Sequence, residues 1–325
     1  MIGVKTPFRI SFAGGGSDLP KFYKKYGGKV ISSSIDKYMY HFIHKFHNNL
    51  TQVKYSKNEL VKNPRLIKHP IVREVSNIFN LQGLDINSIA DIGKGTGLGS
   101  SSAYTVGLIH GLITYEKNTI SKNKLASLSA DIEINKLGEP IGKQDHYASA
   151  FGGLNKISFY KDGRVKVKTI ELGTEEINLL NSSMAIYKVG KSRSASNILK
   201  EQNFNLNKSK YVNLTKEIFG LVDDMETALL NVELSSMGQI LNENWSLKKQ
   251  LSNKISNIEV DKEISYLISQ KGIFGGKLLG AGQSGYILLV GEPDSIKNLN
   301  KLNTTKFNFE NGGSKIIFND ERNYY

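Results

Sequence analysis

The feature that most constrains the fold of this chain is the stretch GKGTGLGSSSAYTV at residues 93–106. Its closely spaced glycines can take positive φ without steric cost, so consecutive backbone N–H groups can turn inward and form a concave nest that attracts anions. The apolar run after the serines predicts a tightly packed helix whose first turn is Ser100, Ser101 and Ser102. Because a helix N-terminus carries unpaired N–H groups and a partial positive charge, the nest and the helix together favour a bound polyphosphate.

Spacing and chemistry narrow the other functions that this stretch could have. The Walker A spacing and the hydrolase spacing G-x-S-x-G are both absent, and Leu98 stands where the third glycine of the dinucleotide-binding motif would fall. Serine hydroxyls at a helix start cap the helix, bind phosphate or ligate Mg²⁺. An N-cap after a glycine turn therefore stays open as the structural alternative to a phosphate site.

Composition limits the class of protein. The chain has 325 residues, 39% of them hydrophobic, and we expect two closely packed lobes. No window approaches the roughly 18 uninterrupted apolar residues that span a bilayer, and the N-terminal residues lack the apolar block of a signal peptide. We therefore predict a cytoplasmic protein with no membrane partner. The absence of cysteine excludes disulfides, thiolate catalysis and cysteine metal sites.

The formal net charge of +13 raises the question of nucleic acid binding. Clustered lysines and arginines release counterions from a phosphate backbone. Of the 43 basic residues, however, only six are arginines, and the lysines are scattered along the chain without forming a stripe. We therefore predict no nucleic-acid partner, and an anionic small substrate is a secondary interpretation of the charge.

The hydrophobic patterning predicts an α+β protein. Aromatic and β-branched runs predict strands at residues 8–12 and 38–46, a hairpin around the turn KDG at 161–163, and two further strands, GYILLV and SKIIF, near the end. Helical spacing dominates after about Leu180, most clearly in the apolar residues from Ile218 to Val232. We place the lobe boundary near residues 175–185, which gives an N-terminal lobe of residues 1–180 and a C-terminal lobe of residues 181–325.

Two carboxylates are candidate functional residues. Asp145 lies in GEPIGKQDHYASAFGGLN, which we interpret as a glycine-punctuated loop, and an exposed loop carboxylate is usually only solvated. Glu133 belongs to a predicted helix that Ser121 can cap, and it falls on a small, partly polar face where a cation has room. A surface glutamate is the structural alternative for this second residue.

Two further glycine-rich segments are candidate parts of the same site. In TPFRISFAGGGSDLPKFY, Arg9 lies in a predicted strand that ends at three glycines, and Asp18 can accept hydrogen bonds from sugar hydroxyls. A glycine hairpin with an Asp turn is the alternative there. In GGKLLGAGQSGYILLV the glycines match G-x-G-x-x-G, but a strand follows where a dinucleotide site needs a helix. We therefore interpret the second loop as a backbone support beside a ligand.

The order of these motifs resembles the GHMP small-molecule kinases, whose members phosphorylate galactose, homoserine, mevalonate and related compounds. The resemblance rests on PFRISFAGGGSD, GTGLGSSSA, GKQD and KLLGAGQSGY, in that order, and it spans nearly the whole chain. It implies a two-lobed α+β fold with an N-terminal lobe of ribosomal-protein-S5-like topology, a C-terminal α+β lobe and the site in the cleft between them. Within the family, these motifs most resemble those of a kinase of a phosphorylated sugar, and fucokinase-type domains are close relatives.

The resemblance implies a role for each matched residue. The phosphates of ATP would be held by Gly95, Thr96, Gly97, Leu98, Gly99, Ser100, Ser101 and Ser102, and Gly282 and Ser284 would support the cleft beside them. Mg²⁺ would be held by Ser101 and Glu133. Asp145 would face the acceptor hydroxyl, and Arg9 would stabilise charge near the transferred group. The sugar would be held by Gly14, Gly15, Gly16, Ser17 and Asp18.

The implied activity is transfer of the ATP γ-phosphoryl group to the anomeric hydroxyl of a sugar phosphate. ATP, Mg²⁺ and this sugar phosphate are the expected ligands, and Asp145 either takes the proton as general base or only orients the hydroxyl. The phosphate of the acceptor needs its own cations, for which Lys191 and Arg193 in GKSRSASN are the candidates. A structural N-cap with a surface arginine is the alternative for that segment.

The sequence departs from the family pattern at two places. The proline that usually precedes the phosphate loop is absent from DIGKGTG, and Gln283 interrupts the last glycine run. Neither change removes a donor that the chemistry requires. The alternatives are a GHMP sugar kinase of the fucokinase or galactokinase type and a GHMP-fold protein that binds sugar or nucleotide without catalysis. Retention of Arg9, Ser101, Glu133 and Asp145 together favours a kinase.

Overall fold

Two β-sheets with helices packed against them make up residues 1–47, 49–190, 196–299 and 303–320, which the computed structural model describes. The strands are β1 (Ile2–Ala13), β2 (Gly28–Lys45), β3 (Thr51–Lys54), β4 (Asn58–Val61), β5 (Leu84–Ala90), β6 (Leu154–Phe159), β7 (Val165–Thr169), β8 (Met184–Val189), β9 (Ile273–Leu278), β10 (Gly285–Gly291), β11 (Thr304–Thr305) and β12 (Lys315–Asn319). The helices are α1 (Pro20–Tyr26), α2 (Pro70–Val75), α3 (Ser100–Tyr115), α4 (Lys122–Asp131), α5 (Gln144–Phe151), α6 (Thr174–Ser182), α7 (Ser196–Asn205), α8 (Ser209–Leu230), α9 (Leu234–Lys249), α10 (Ile258–Ile268) and α11 (Pro293–Lys297). A 3₁₀ turn at Pro64–Leu66 and a π-helical turn at Ile132–Lys136 complete the set. Within these ranges no helix combines the length and the apolar character that crossing a membrane requires.

The large sheet is built around the long strand β2. Strand β1 runs antiparallel along most of its length, while β6 pairs with residues 28–33 and β5 with residues 39–45 on the other side. The sheet has the spatial order β12-β1-β2-β5-β3-β4, with β7 beside β6. Almost every residue of β1 is buried. Arg9 therefore projects from a strand that is enclosed by the rest of the lobe.

Helix α3 packs closely on β1 and β2 through two glycines. A Cβ atom at Gly107 would lie 2.7 Å from Thr6 Oγ1, and one at Gly111 would lie 2.7 Å from Ile43 Cδ1. The helix is buried along nearly all of its length, as its apolar run predicted. The Arg9 N–H donates to the Leu98 carbonyl at 3.1 Å, so the start of α3 is tied to β1.

The second sheet and the helices after residue 196 share a core with the large sheet. The second sheet has the order β11-β8-β10-β9. The main core continues through Met225 of α8 and Met237 of α9 to Leu288 of β10. A separate apolar cluster that includes Trp245 and Ile264 packs around the second sheet. The prediction of two closely packed lobes is confirmed, and the α+β class with it.

The last strand returns to the first sheet. Strand β12 pairs antiparallel with β1, from Ile2 opposite Asn319 to Lys5 opposite Lys315. Assigning all of residues 181–325 to a C-terminal lobe was therefore wrong for this strand, because local patterning locates a strand without showing which neighbour it pairs with. The boundary near residue 180 stays a prediction.

Two helical glycines should respond to alanine with opposite sign. Gly220 of α8 is exposed with no atom near its Cβ position, so Gly220→Ala should raise the free energy of unfolding by about 0.5–1 kcal/mol. At Gly238 of α9 an added Cβ would lie 2.5 Å from the Phe274 carbonyl carbon of β9. Gly238→Ala should therefore lower the free energy of unfolding by about 1–3 kcal/mol in urea titrations. Equal effects of the two substitutions would contradict this packing of α9 on β9.

Candidate active site

The glycine loop before α3 has the backbone conformation that an anion nest requires. Gly95, Gly97 and Gly99 all have positive φ, between 74° and 80°. The N-cap of α3 is Gly99, and no side chain in the described ranges caps this helix. The alternative of a serine N-cap is therefore wrong. The N–H groups of the first turn are left facing the loop, where an anion can accept from them.

The hairpin loop between β9 and β10 supports the glycine loop by direct backbone contact. A Cβ at Gly97 would lie 2.6 Å from the Leu279 carbonyl oxygen, and the Tyr286 N–H donates to the Thr96 carbonyl at 3.2 Å. Gly282 packs instead on the backbone of Ile255. Ser284 lies in the same hairpin loop and is buried. The two glycine-rich loops of the sequence thus touch each other across the lobes.

A bidentate ion pair joins the two candidate catalytic residues. Arg9 Nε donates to Asp145 Oδ1 and Arg9 Nη2 donates to Asp145 Oδ2, both at 2.8 Å. The third guanidinium nitrogen, Nη1, donates to the Gly97 carbonyl at 2.6 Å. The Arg9 side chain is 4% exposed and that of Asp145 is 25% exposed, so the carboxylate is the more accessible partner.

Asp145 lies in the first turn of α5, and its assignment to a loop was wrong. The helix has only eight residues, too few for a helical period to show in the sequence, and glycines and a proline precede it. A carboxylate in the first turn of a helix is stabilised by the N-terminal end of the helix dipole.

Asp18 fastens the loop after β1 to the start of α5. Its Oδ1 accepts from the Gly16 N–H at 3.0 Å and its Oδ2 from the Gln144 N–H at 3.1 Å. Burial first, and the charge of Asp145 second, raise the pKa of Asp18. The carboxyl group borders the same cavity as Arg9 and Asp145, which the glycines at 15 and 16 also line.

Glu133 is buried beside the start of α3, so the surface alternative for this residue was wrong. It lies in the π-helical turn that follows α4, which Ser121 caps as predicted. Its carboxylate accepts from Ser101 Oγ at 2.6 Å and from Thr105 Oγ1 at 2.8 Å. Its third partner is His146 Nε2, at 2.9 Å.

The hydrogen bonds of Glu133 outweigh its burial. Burial alone would raise its pKa, but the hydrogen bond and charge of His146, followed by the hydrogen bonds of Ser101 and Thr105, lower it overall. Glu133 therefore presents an ionised oxygen next to the Ser101 hydroxyl. In the described ranges no group of three or more His, Asp or Glu side chains could hold a metal. A Mg²⁺ ion here would rely on phosphate oxygens and water for its remaining ligands, as this ion usually does.

Several residues that line the cavity were not predicted from the sequence. Those from the C-terminal half are Gln202, Asn244, Lys248 and Lys277, and those from the N-terminal half are Ser11 and Gln144. Lys277 carried a usable signal, because a lysine is seldom buried inside an apolar strand unless a polar partner meets it. The predicted phosphate-binding residues Lys191 and Arg193 lie outside the described residues.

Part of the chain matches a known protein family. Residues 65–153 match the family model described as the GHMP kinases N terminal domain. The chain is similar to GHMP-type kinases in this segment and in its fold, in agreement with the order of the four sequence motifs.

Relatives of particular function resemble the chain over nearly its full length. The D-glycero-alpha-D-manno-heptose 7-phosphate kinase of Campylobacter jejuni subsp. jejuni serotype O:2 is 28% identical over 313 residues, which cover 92% of each chain. The crystal structure of a putative sugar kinase from Campylobacter jejuni is 25% identical, with a TM-score of 0.75 over 97% of each chain. A D-glycero-D-manno-heptose 1-phosphate kinase from Bacteriodes thetaiotaomicron shares the fold, with a TM-score of 0.78 at 23% identity over 98% of this chain and 99% of the other.

Replacing Arg9 by lysine should destabilise the protein although it keeps the charge. Lysine cannot form the two parallel bonds to Asp145 and the bond to Gly97 together, so Arg9→Lys should lower the free energy of unfolding by about 1–3 kcal/mol. The matched control is Arg164→Lys, whose ion pair with Asp162 is exposed and should change stability by less than about 0.5 kcal/mol. Urea unfolding that gives the same small effect for both substitutions would show that the Arg9 pair does not hold the site together.

Proposed function

We propose that the protein transfers the γ-phosphoryl group of ATP to the anomeric hydroxyl of D-glycero-D-manno-heptose 7-phosphate and forms the 1,7-bisphosphate. The observation that carries this proposal is the Arg9–Asp145 pair, which reaches the glycine loop through Gly97 on one side and the cavity on the other. The name of the Campylobacter jejuni relative supports the choice of acceptor.

The glycine loop and the start of α3 are the proposed phosphate site. Residues Gly95 to Ser102 offer a nest of N–H groups and a helix N-terminus without a side-chain cap in the described ranges, and polyphosphate oxygens accept from such groups. Ser101 and Glu133 are the proposed ligands of Mg²⁺, since they present a hydroxyl and an ionised carboxylate 2.6 Å apart. A Mg²⁺ ion bound there would neutralise charge on the β- and γ-phosphate oxygens.

Asp145 is the proposed partner of the acceptor hydroxyl. Both of its oxygens accept from Arg9, yet a carboxylate has further lone pairs, and a quarter of this side chain is exposed towards the cavity. The hydroxyl would donate to Asp145, which orients it for attack and takes its proton as the new bond to phosphorus forms. Arg9 keeps the carboxylate in place and adds positive charge beside the transferred group.

The loop after β1 is the proposed sugar site. Gly15 and Gly16 line the cavity, and Asp18 borders it with a carboxyl group that can accept from or donate to sugar hydroxyls. Gly14 and Ser17 do not line it, because they pack on the backbone of Lys29. Lys191 and Arg193 stay the predicted partners of the 7-phosphate. A cytoplasmic location and the lack of a nucleic-acid partner also stay predictions from the sequence.

An acceptor screen tests the proposed function. ATP consumption should be measured with heptose 7-phosphate, heptose 1-phosphate, fucose, galactose, mannose and mevalonate, each with Mg²⁺ and again with EDTA. We expect turnover with heptose 7-phosphate that EDTA abolishes, and ³¹P NMR should place the new phosphate on the anomeric carbon. Turnover with an unphosphorylated sugar alone would contradict the heptose assignment and indicate a fucokinase- or galactokinase-like enzyme. Nucleotide binding without turnover on any acceptor would indicate a non-catalytic binding protein.

A further inference from the structure

Helix α9, in the C-terminal half of the chain, presents two polar side chains to the cavity beside Asp145. Asn244 and Lys248 are four residues apart and therefore lie on one face of the helix. Both line the cavity that Arg9, Asp18 and Asp145 also line. Helix α9 thus adds an amide and an ammonium group to a cavity that already holds a guanidinium group and two carboxyl groups.

Asn244 has a donor without a protein partner. Its side chain is buried, with 1% of the residue exposed, and its Oδ1 accepts from Lys277 Nζ at 2.8 Å. Its Nδ2 has no partner among the described residues. A buried amide N–H that lacks a partner is costly, so such a group at a cavity wall is expected to meet an acceptor on a ligand.

Lys248 lies where the two glycine-rich loops touch. Its Nζ donates to the Gly280 carbonyl, and Gly280 packs on Gly97 of the phosphate loop. Arg9 Nη1 reaches the same contact from the other lobe, through the Gly97 carbonyl. In the described ranges the Gly280 carbonyl is the one hydrogen-bond acceptor of Lys248, so two of the three ammonium N–H groups are available.

The two cations at this contact differ in how fully they are engaged. Arg9 gives a hydrogen bond from each of its three nitrogens to protein oxygens, two of them to Asp145. Its charge is therefore largely balanced by a carboxylate. Lys248 has a neutral carbonyl as partner and is half-buried. Its charge is thus available to an anion that enters between the loops.

We propose that Lys248 is a catalytic residue that binds oxygens of the γ-phosphoryl group, both in bound ATP and during transfer, while Asn244 donates to an oxygen of the acceptor. This inference rests on the proposed function. The acceptor oxygen forms its bond to the γ-phosphorus, the bond from that phosphorus to the bridging oxygen of ADP breaks, and the hydroxyl proton passes to Asp145. Lys248 stays protonated throughout and balances charge on the transferred oxygens.

The charged groups around Lys248 give the proposal a pH signature. They are Arg9 from β1, Asp18 from the loop after it, Asp145 from α5 and Lys277 from β9. Burial first, and then Arg9, lower the pKa of Lys248 to about 8, against the opposing effects of Asp145 and Asp18. Because the ammonium is charged below this pH and neutral above it, its contribution to binding is lost as the pH rises through about 8.

Nucleotide binding in the absence of the sugar phosphate tests the contact between Lys248 and the γ-phosphoryl group directly, because ATP carries this group and ADP does not. Calorimetry should show that Lys248→Met weakens MgATP binding by about tenfold and changes MgADP binding by less than about twofold. Lys249→Met is the matched control, because the Lys249 ammonium pairs with Asp261 and does not line the cavity. It should change neither affinity. A Lys248→Met variant that loses ATP and ADP affinity equally, or loses neither, would overturn the proposal.

The pH dependence separates a role in transfer from a structural role. In the wild type, kcat/KM for the sugar phosphate should fall above about pH 8, whereas Lys248→Arg should retain activity and move the fall to higher pH. Lys248→Met should have a low kcat at every pH. If kcat/KM of Lys248→Arg falls at the same alkaline pH as that of the wild type, this assignment is wrong. A wild type that phosphorylates no acceptor contradicts the proposed function, whereas an active wild type in which Lys248→Met equals Lys249→Met contradicts this inference alone.

Discussion

The bidentate pair between Arg9 and Asp145 is the interaction on which the arrangement of the site depends. Arg9 comes from a buried strand, where its charge needs a partner because an unpaired buried cation is strongly destabilising. Asp145 supplies that partner from the start of α5, and the third guanidinium nitrogen holds the Gly97 carbonyl. One side chain therefore fixes a strand, a helix and a glycine loop that lie far apart in sequence. The large sheet and α3 serve to keep this side chain in place.

The two lobes meet at the same point. Gly97 of the glycine loop packs on Leu279 and Gly280 of the hairpin loop, so any relative movement of the lobes would change the distance between the proposed phosphate site and the cavity. Glu133 holds the other side of the helix start through Ser101. Three features thus converge within a few ångströms of the α3 N-terminus: an ion pair, a buried carboxylate and a contact between lobes. The proposed phosphoryl transfer requires such alignment, because positioning and charge neutralisation supply most of its catalysis.

Sequence alone predicted the features that depend on local pattern. The strand bearing Arg9, the β6–β7 hairpin, the buried helix α3 and the long helix α8 follow from period and turn residues that lie close together. The helical position of Asp145 was missed because its helix has only eight residues. The burial of Glu133 depends on Thr105 and His146, which are distant in the chain, and no local pattern reports such a contact. The pairing of β12 with β1 and the approach of α9 to the cavity also join residues that are distant in the chain, so no local pattern predicts them.

In the proposed reaction, Asp145 lies at the point of phosphoryl transfer and is held there by Arg9. The most direct test is the rate of a single turnover of Asp145→Asn with bound MgATP and heptose 7-phosphate. Asparagine keeps the size of the side chain but removes the carboxylate that is proposed to orient the acceptor hydroxyl and to take its proton. We expect a fall of about 100-fold or more in the rate of phosphoryl transfer. A rate near that of the wild type would show that Asp145 does not act on the acceptor hydroxyl, which would then bind elsewhere.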